Sequence, residues 1–120
     1  MGTLIYDGTD SFSFDDRVLA HLQAVIATKL RRREGFLLIW ADRTSSEIGT
    51  LRSIWLDPSI SVQFVFTGSE LPELNREWMT ILTERANSNS GLMLEDELRA
   101  EIREEIPAGS FRSSRPKRPA

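Results

Sequence analysis

The sequence predicts an α+β domain in two layers, a mainly antiparallel sheet with two amphipathic helices packed on one face. Three observations carry this reading. Residues 36–67 hold three β-type runs, 36–41, 50–56 and 61–67, joined by short connections. Ahead of them, Val18, Leu19, Leu22, Val25, Ile26 and Leu30 form the i, i+3/i+4, i+7 stripe of a core-facing helix. Behind them, Trp78, Ile81, Leu82 and Ala86 form a second such stripe. The element order is therefore ββαβββα, then a short strand, then a further helix.

The first two runs, 3–6 and 11–14, flank Asp7-Gly8-Thr9-Asp10, a hairpin signal. Ser13 or Asp15 can cap the helix that follows, and Asp15-Asp16 place negative charge at the positive end of its dipole. Lys29, Arg31, Arg32 and Arg33 lie in its last turns, and Gly35 is expected as the left-handed residue beyond them. In the run 61–67, Val62, Phe64 and Phe66 alternate with polar residues, the period of a half-buried strand. In 50–56, Leu51, Ser53 and Trp55 share one face, and Arg52, Ile54 and Leu56 the other. The run 36–41 is apolar on both faces and reads as an interior or covered strand. Asp57-Pro58-Ser59 is a turn signal, so the three runs are expected to form an antiparallel meander.

Asn75 reads as an N-cap, with Leu74 able to staple onto Met79. The polar run 87–91 ends that helix, and Leu92-Met93-Leu94 is long enough for a short strand. Residues 95–106 read as an exposed acidic helix, with Glu95 and Arg99 an i,i+4 pair, stopped by Pro107. Residues 107–120 are rich in Gly, Ser, Arg and Pro and are expected to be disordered. The domain plan is thus a unit at 1–94, an acidic helix at 95–106 and a basic tail at 107–120.

At 120 residues, with 40% hydrophobic and 28% charged side chains, the chain has the composition of one globular domain. It has no apolar run near the length of a membrane span and no signal-peptide pattern at its start, so a cytoplasmic setting is expected. Cysteine is absent, which removes disulfides, thiol nucleophiles and thiolate metal sites. The net charge of −3 is unevenly spread. Arg112, Arg115, Lys117 and Arg118 make the tail about +4, leaving 11 basic and 18 acidic side chains, about −7, in residues 1–106.

Few residues are equipped for catalysis. His21 is the only histidine and sits beside the apolar stripe, so it reads as a boundary residue with a satisfied ring. Trp40, Trp55 and Trp78 read as core residues rather than a stacking platform. Arg31, Arg32 and Arg33 meet the negative end of a helix dipole; with Arg112, Arg115, Lys117 and Arg118 they are the phosphate-binding alternative. Leu98, Ile102 and Ile106 form a narrow apolar line that reads as a partner-binding stripe.

Ile5-Tyr6-Asp7-Gly8 is similar to the Lys-x-Asp-Gly motif of ATP-dependent DNA ligases, in which the lysine becomes adenylylated. Ile5 stands in the lysine position and offers no nucleophile. The wider order YDG, DDRVLAHLQAVIATKLRR, IWL-P-I, LNREW and ANS-GL resembles a family of small actinobacterial proteins of unknown function, whose members often carry the label "ATP-dependent DNA ligase". That resemblance spans nearly residues 1–95. It implies a fold-sized unit in a cytoplasmic bacterial setting, and no activity, cofactor or catalytic residue. The expected function is non-enzymatic, without cofactor or metal and without membrane contact. It acts through a protein partner or self-association, with nucleic-acid contact through the tail as the alternative.

Overall fold

The computed structural model describes residues 1–42 and 49–104. Strands β1 (Gly2–Tyr6) and β2 (Asp10–Phe14) form the expected antiparallel hairpin. Asp7 and Gly8 at its tip have φ of 54° and 75°, the paired left-handed residues that a type I′ turn demands. Helix α1 spans Asp16–Arg31, and of the two candidate caps it is Asp15 whose carboxylate accepts from the Arg17 N–H at 2.9 Å. At its other end the left-handed residue is Arg33 (φ 62°), not Gly35. Gly35 answers a different need: a Cβ there would lie 2.6 Å from Cζ2 of Trp55, so the indole rests against its backbone.

The remaining elements are β3 (Phe36–Asp42), β4 (Thr50–Leu56), β5 (Val62–Val65), α2 (Arg76–Ala86), β6 (Leu92–Leu94) and α3 (Asp96–Arg103). The class is α+β with mainly antiparallel pairing, as the sequence predicts, but the strands divide into two three-stranded sheets. One has the order β2-β1-β5, the other β4-β3-β6. The expected meander holds for β3 and β4, which pair antiparallel from Phe36↔Leu56 to Asp42↔Thr50. It breaks before β5, which pairs with β1 instead. Two contacts account for the break. The Tyr6 hydroxyl donates to the Trp55 carbonyl at 2.7 Å, bringing the end of β1 against β4. The Asp7 N–H then donates to the Ser61 carbonyl at 2.8 Å and seats the start of β5 beside β1. Pro58, with no N–H to give a ladder, lies in the crossing between the sheets. Strand β6 pairs parallel with β3, at Leu38↔Leu92 through Trp40↔Leu94.

Helix α1 is enclosed. Val18, Leu19, Ala20, His21 and Leu22 are all buried, a full turn and more with no side facing water. Phe12 and Phe14 of β2 meet the Trp40 ring of β3 at centroid distances of 5.1 and 5.2 Å, which joins the two sheets in one core. Trp78, Leu82 and Ala86 of α2 complete it, and Val62, Phe64 and Phe66 are half-buried against it. Leu98 and Ile102 of α3 also belong to this core. The described part of the acidic helix therefore packs onto the domain rather than standing apart from it. Residues 107–120, expected to be disordered, lie outside the described residues.

The aromatic residues divide sharply. Trp40 and Trp78 are each 1% exposed, whereas Trp55 is 50% exposed and is no core residue. Trp40→Ala is expected to cost about 3–5 kcal/mol in urea denaturation, since a buried ring leaves a cavity. Trp55→Ala is expected to cost no more than about 1.5 kcal/mol, because half of its surface is already in water. Equal losses for the two variants would contradict this division.

Candidate functional site

The sheet β4-β3-β6 has two unlike faces. Phe36, Leu38, Trp40, Ile54, Leu56, Leu92 and Leu94 point into the core. The alternate positions carry Leu37, Ile39 and Ala41 on β3, Leu51, Ser53 and Trp55 on β4, and Met93 on β6. No charged side chain interrupts this set. Leu51 is 67% exposed and Met93 38%, so with Trp55 they form an apolar surface on the outside of the sheet. Cross-strand register places Leu37 opposite Trp55, Ile39 opposite Ser53 and Ala41 opposite Leu51. Sequence reasoning took the two-sided apolar character of β3 as a sign of an interior or covered strand, and β3 is the interior strand of its sheet, although that sheet has two unlike faces. Among the described residues, nothing covers the outer one.

At the Trp55 end of this face lies a cleft of about 270 Å³. Gly35 and Gly91 line it together with Asn87, Ser88 and Asn89 from the turn that ends α2. The Lys29 ammonium at its margin is nearly buried. It donates to Asn87 Oδ1 at 2.8 Å and pairs with Glu34 Oε1 at 2.9 Å. The hydrogen bond from Lys29 to Glu34, with the Lys29 charge, holds the exposed Glu34 carboxyl below its ordinary pKa. Arg31, Arg32 and Arg33, close by in the chain, are exposed.

His21 is not at a boundary but inside the core, at 1% exposure. Its Nδ1 lies 2.7 Å from the Arg17 carbonyl, and its Nε2 lies 2.9 Å from the Asn75 N–H. A carbonyl only accepts and a backbone N–H only donates, so the ring is neutral with its proton on Nδ1. Asn75 is the N-cap of α2, accepting from Glu77 and Trp78 N–H groups, so the histidine receives the one backbone donor that the cap itself presents. Burial pushes the His21 pKa below its ordinary 6.5; the Arg17 carbonyl opposes this and the Arg17 charge adds to it. Both nitrogens of the ring are engaged in structure, and among the described residues no group of three potential ligands could hold a metal.

The Asp7-Gly8 pair forms the hairpin tip, and Tyr6 carries the bond to β4, so each residue of the YDG tripeptide has a structural task. Leu98 and Ile102, expected to form a partner-binding stripe, are 3% and 1% exposed and are used against the chain's own core. An i+4 apolar line marks a buried helix face as readily as a docking face, and the sequence alone does not separate the two. Glu95 pairs with Arg85 at 2.8 Å, while Arg99 donates to the Ala41 carbonyl at 2.7 Å and lies over the Phe14 ring. Ile106, Arg112, Arg115, Lys117 and Arg118 lie outside the described residues. Among those described, no helix is long and apolar enough to cross a membrane.

The buried neutral histidine sets a pH dependence. The folded-state pKa is lowered, so the unfolded chain takes up its proton first as pH falls. The stability due to the neutral ring is complete above 6.5 and is lost as pH falls through the folded-state value. The urea midpoint is expected to be lower at about pH 5.5 than at about pH 7.5. As this is the only histidine, His21→Gln should remove most of that difference. An unchanged midpoint across this range in the parent protein would exclude the buried neutral ring.

The family model described as "Domain of unknown function (DUF7882)" matches residues 1–97, from the first strand to the first turn of α3. No curated protein and no solved structure matched the chain. The hairpin, both sheets, α1 and α2 all fall within the match, and the chain belongs to the DUF7882 family of domains of unknown function.

Proposed function

We propose that this domain is a non-enzymatic binding module that associates with a second copy of itself through the outer face of β4-β3-β6. The observation that carries the reading is the uncharged apolar set Leu37, Ile39, Leu51, Trp55 and Met93 on a face with no cover among the described residues. Surfaces of this kind mark interaction sites, and the centres of interfaces are depleted of charge.

The face is suited to its own copy. Its bulky Leu37–Trp55 pair lies at one end and its Ala41–Leu51 pair at the other, with Ile39–Ser53 between them. A two-fold axis running through Ile39 and Ser53 sets each strand over its own copy in reverse, so Leu37 of one copy falls over the small Ala41 of the other and the indole over Leu51. Such packing removes on the order of 400–500 Å² per copy, roughly 900 Å² for the pair, below the range of stable interfaces. The association is therefore weak and reversible. The side-chain chemistry favours binding over catalysis: Ile5 replaces the lysine of the ligase motif, and both nitrogens of His21 are held by the backbone.

Sedimentation velocity over a rising concentration series tests this. The weight-average mass is expected to climb from monomer towards dimer at high micromolar to millimolar concentration. Leu51→Asp should hold it at monomer without loss of fold, because Leu51 faces water. A parent that stays monomeric throughout, or a Leu51→Asp variant that dimerises like the parent, would refute self-association through this face.

A further inference from the structure

Two features of the sequence have no task in the self-association reading: the run Arg31-Arg32-Arg33 and the cleft beside Trp55. The fold brings them together. The indole rests on Gly35, two residues beyond Arg33. Consecutive Cα atoms are 3.8 Å apart, so the Arg33 and Gly35 Cα atoms lie within about 7.6 Å of each other, and an arginine side chain spans the distance to the rim of the ring. Lys29 is already engaged by Glu34 and Asn87. Among the described residues, none of the three arginines has an acidic partner within salt-bridge distance. An acidic body thus carries, a few residues from the glycine beneath its one exposed indole, three cations with no salt bridge among the described residues, Arg32 acting on Glu34 only through its charge.

The third component is the wall facing the indole. Asn87 Oδ1 is taken by Lys29 and the Ser88 hydroxyl by the Arg85 and Gly91 carbonyls, so the Asn87 amide nitrogen and the Asn89 amide are the groups that match the hydrogen-bonding edge of a heterocycle rather than the bare rim of a phenyl ring. The cleft, at about 270 Å³, falls below the roughly 300–1,000 Å³ of pockets that enclose a whole ligand. It has room for one flat ring and leaves any attached phosphate outside, where the long side chains of Arg32 and Arg33, which are not part of its lining, would have to reach it. A stacking indole, a polar wall and bidentate guanidinium donors are the three contacts that a base with its phosphate uses.

We propose that this cleft binds a nucleobase stacked on Trp55, with its phosphate held by Arg32 and Arg33. The site goes beyond the self-association reading and does not depend on it. The same chemistry comes from two sources, a free nucleotide or a single-stranded nucleic acid. A duplex keeps its bases stacked within itself and cannot present one to the indole.

Quenching of tryptophan fluorescence tests the site, with five probes: a nucleoside monophosphate, the matching nucleoside, inorganic phosphate, a short single-stranded oligonucleotide and its duplex. The monophosphate and the single strand should quench in a saturable manner, and phosphate alone and duplex should not. A single strand that binds far more tightly than the monophosphate identifies nucleic acid as the source; equal affinities identify the free nucleotide. Trp55→Ala, which lacks the reporting indole and is read by equilibrium dialysis of the monophosphate, should weaken binding about tenfold or more. Arg33→Gly should weaken binding by several-fold while raising the melting temperature, because glycine takes the left-handed conformation of residue 33 without strain. A purely structural arginine would move the second quantity and not the first. At a concentration where the parent is monomeric, Leu51→Asp should leave binding unchanged, because Leu51 belongs to the dimer face and not to the cleft, although Trp55 belongs to both. No saturable quenching by either phosphorylated base, equal quenching by phosphate alone, or affinity unaffected by Arg33→Gly would overturn the proposal.

Discussion

The enclosure of α1 is the constraint on which the other elements depend. Five successive residues, Val18 to Leu22, are buried, so the chain must supply cover on every side of that turn. The sheets, α2 and α3 supply it, and polar groups at the start of α1 fix where each one arrives. Asp16 accepts from the Thr67 N–H just beyond β5. Arg17 donates to the Arg103 carbonyl at the end of α3. His21 accepts from the Asn75 N–H at the start of α2. A buried polar ring is costly unless its atoms are paired, so the histidine specifies the position of α2 as well as filling space.

Gathering the helices around α1 leaves an asymmetry. The inner face of β4-β3-β6 is sealed by this core, and the outer face keeps Leu51 and Trp55 in water. The Tyr6 hydroxyl contributes to this arrangement, because it satisfies the Trp55 carbonyl and ties β4 to the hairpin. The YDG tripeptide resembles a nucleotidyl-transfer motif in sequence, yet here it forms a turn and an inter-sheet link. A short motif whose residues are also those of a tight hairpin carries little information about chemistry until its nucleophile is present.

Much of the fold was legible because it rests on local chemistry. The Asp7-Gly8 turn, the Asp15 and Asn75 caps and the stripes of α1 and α2 each follow from residues a few positions apart. What was not legible depends on partners distant in sequence. β5 left the meander because Asp7 and Tyr6 hold the neighbouring chain, 49 or more residues away. Arg33, by contrast, took the left-handed position for a local reason: the helix ends at Arg31, so Arg33 is its C′ residue, where its N–H bonds the Leu30 carbonyl and that of Glu34 the Lys29 carbonyl. The candidate site was half legible. Arg31–Arg33 and the three tryptophans were visible as phosphate and stacking groups, but periodicity assigns both faces of β4 apolar residues and cannot say which one meets water. Leu98 and Ile102 show the same ambiguity resolved the other way, an apolar line that turned inward.

The account turns on Trp55 being at the surface while Trp40 and Trp78 are enclosed. Acrylamide quenching of the parent and of Trp55→Phe, at a concentration where the chain is monomeric, measures this directly. The parent is expected to show one readily quenched fraction and one resistant fraction, and Trp55→Phe should lose the first and keep the second. A parent with only resistant fluorescence, or a Trp55→Phe variant that retains the quenched fraction, would contradict the exposed indole on which both the dimer face and the cleft depend.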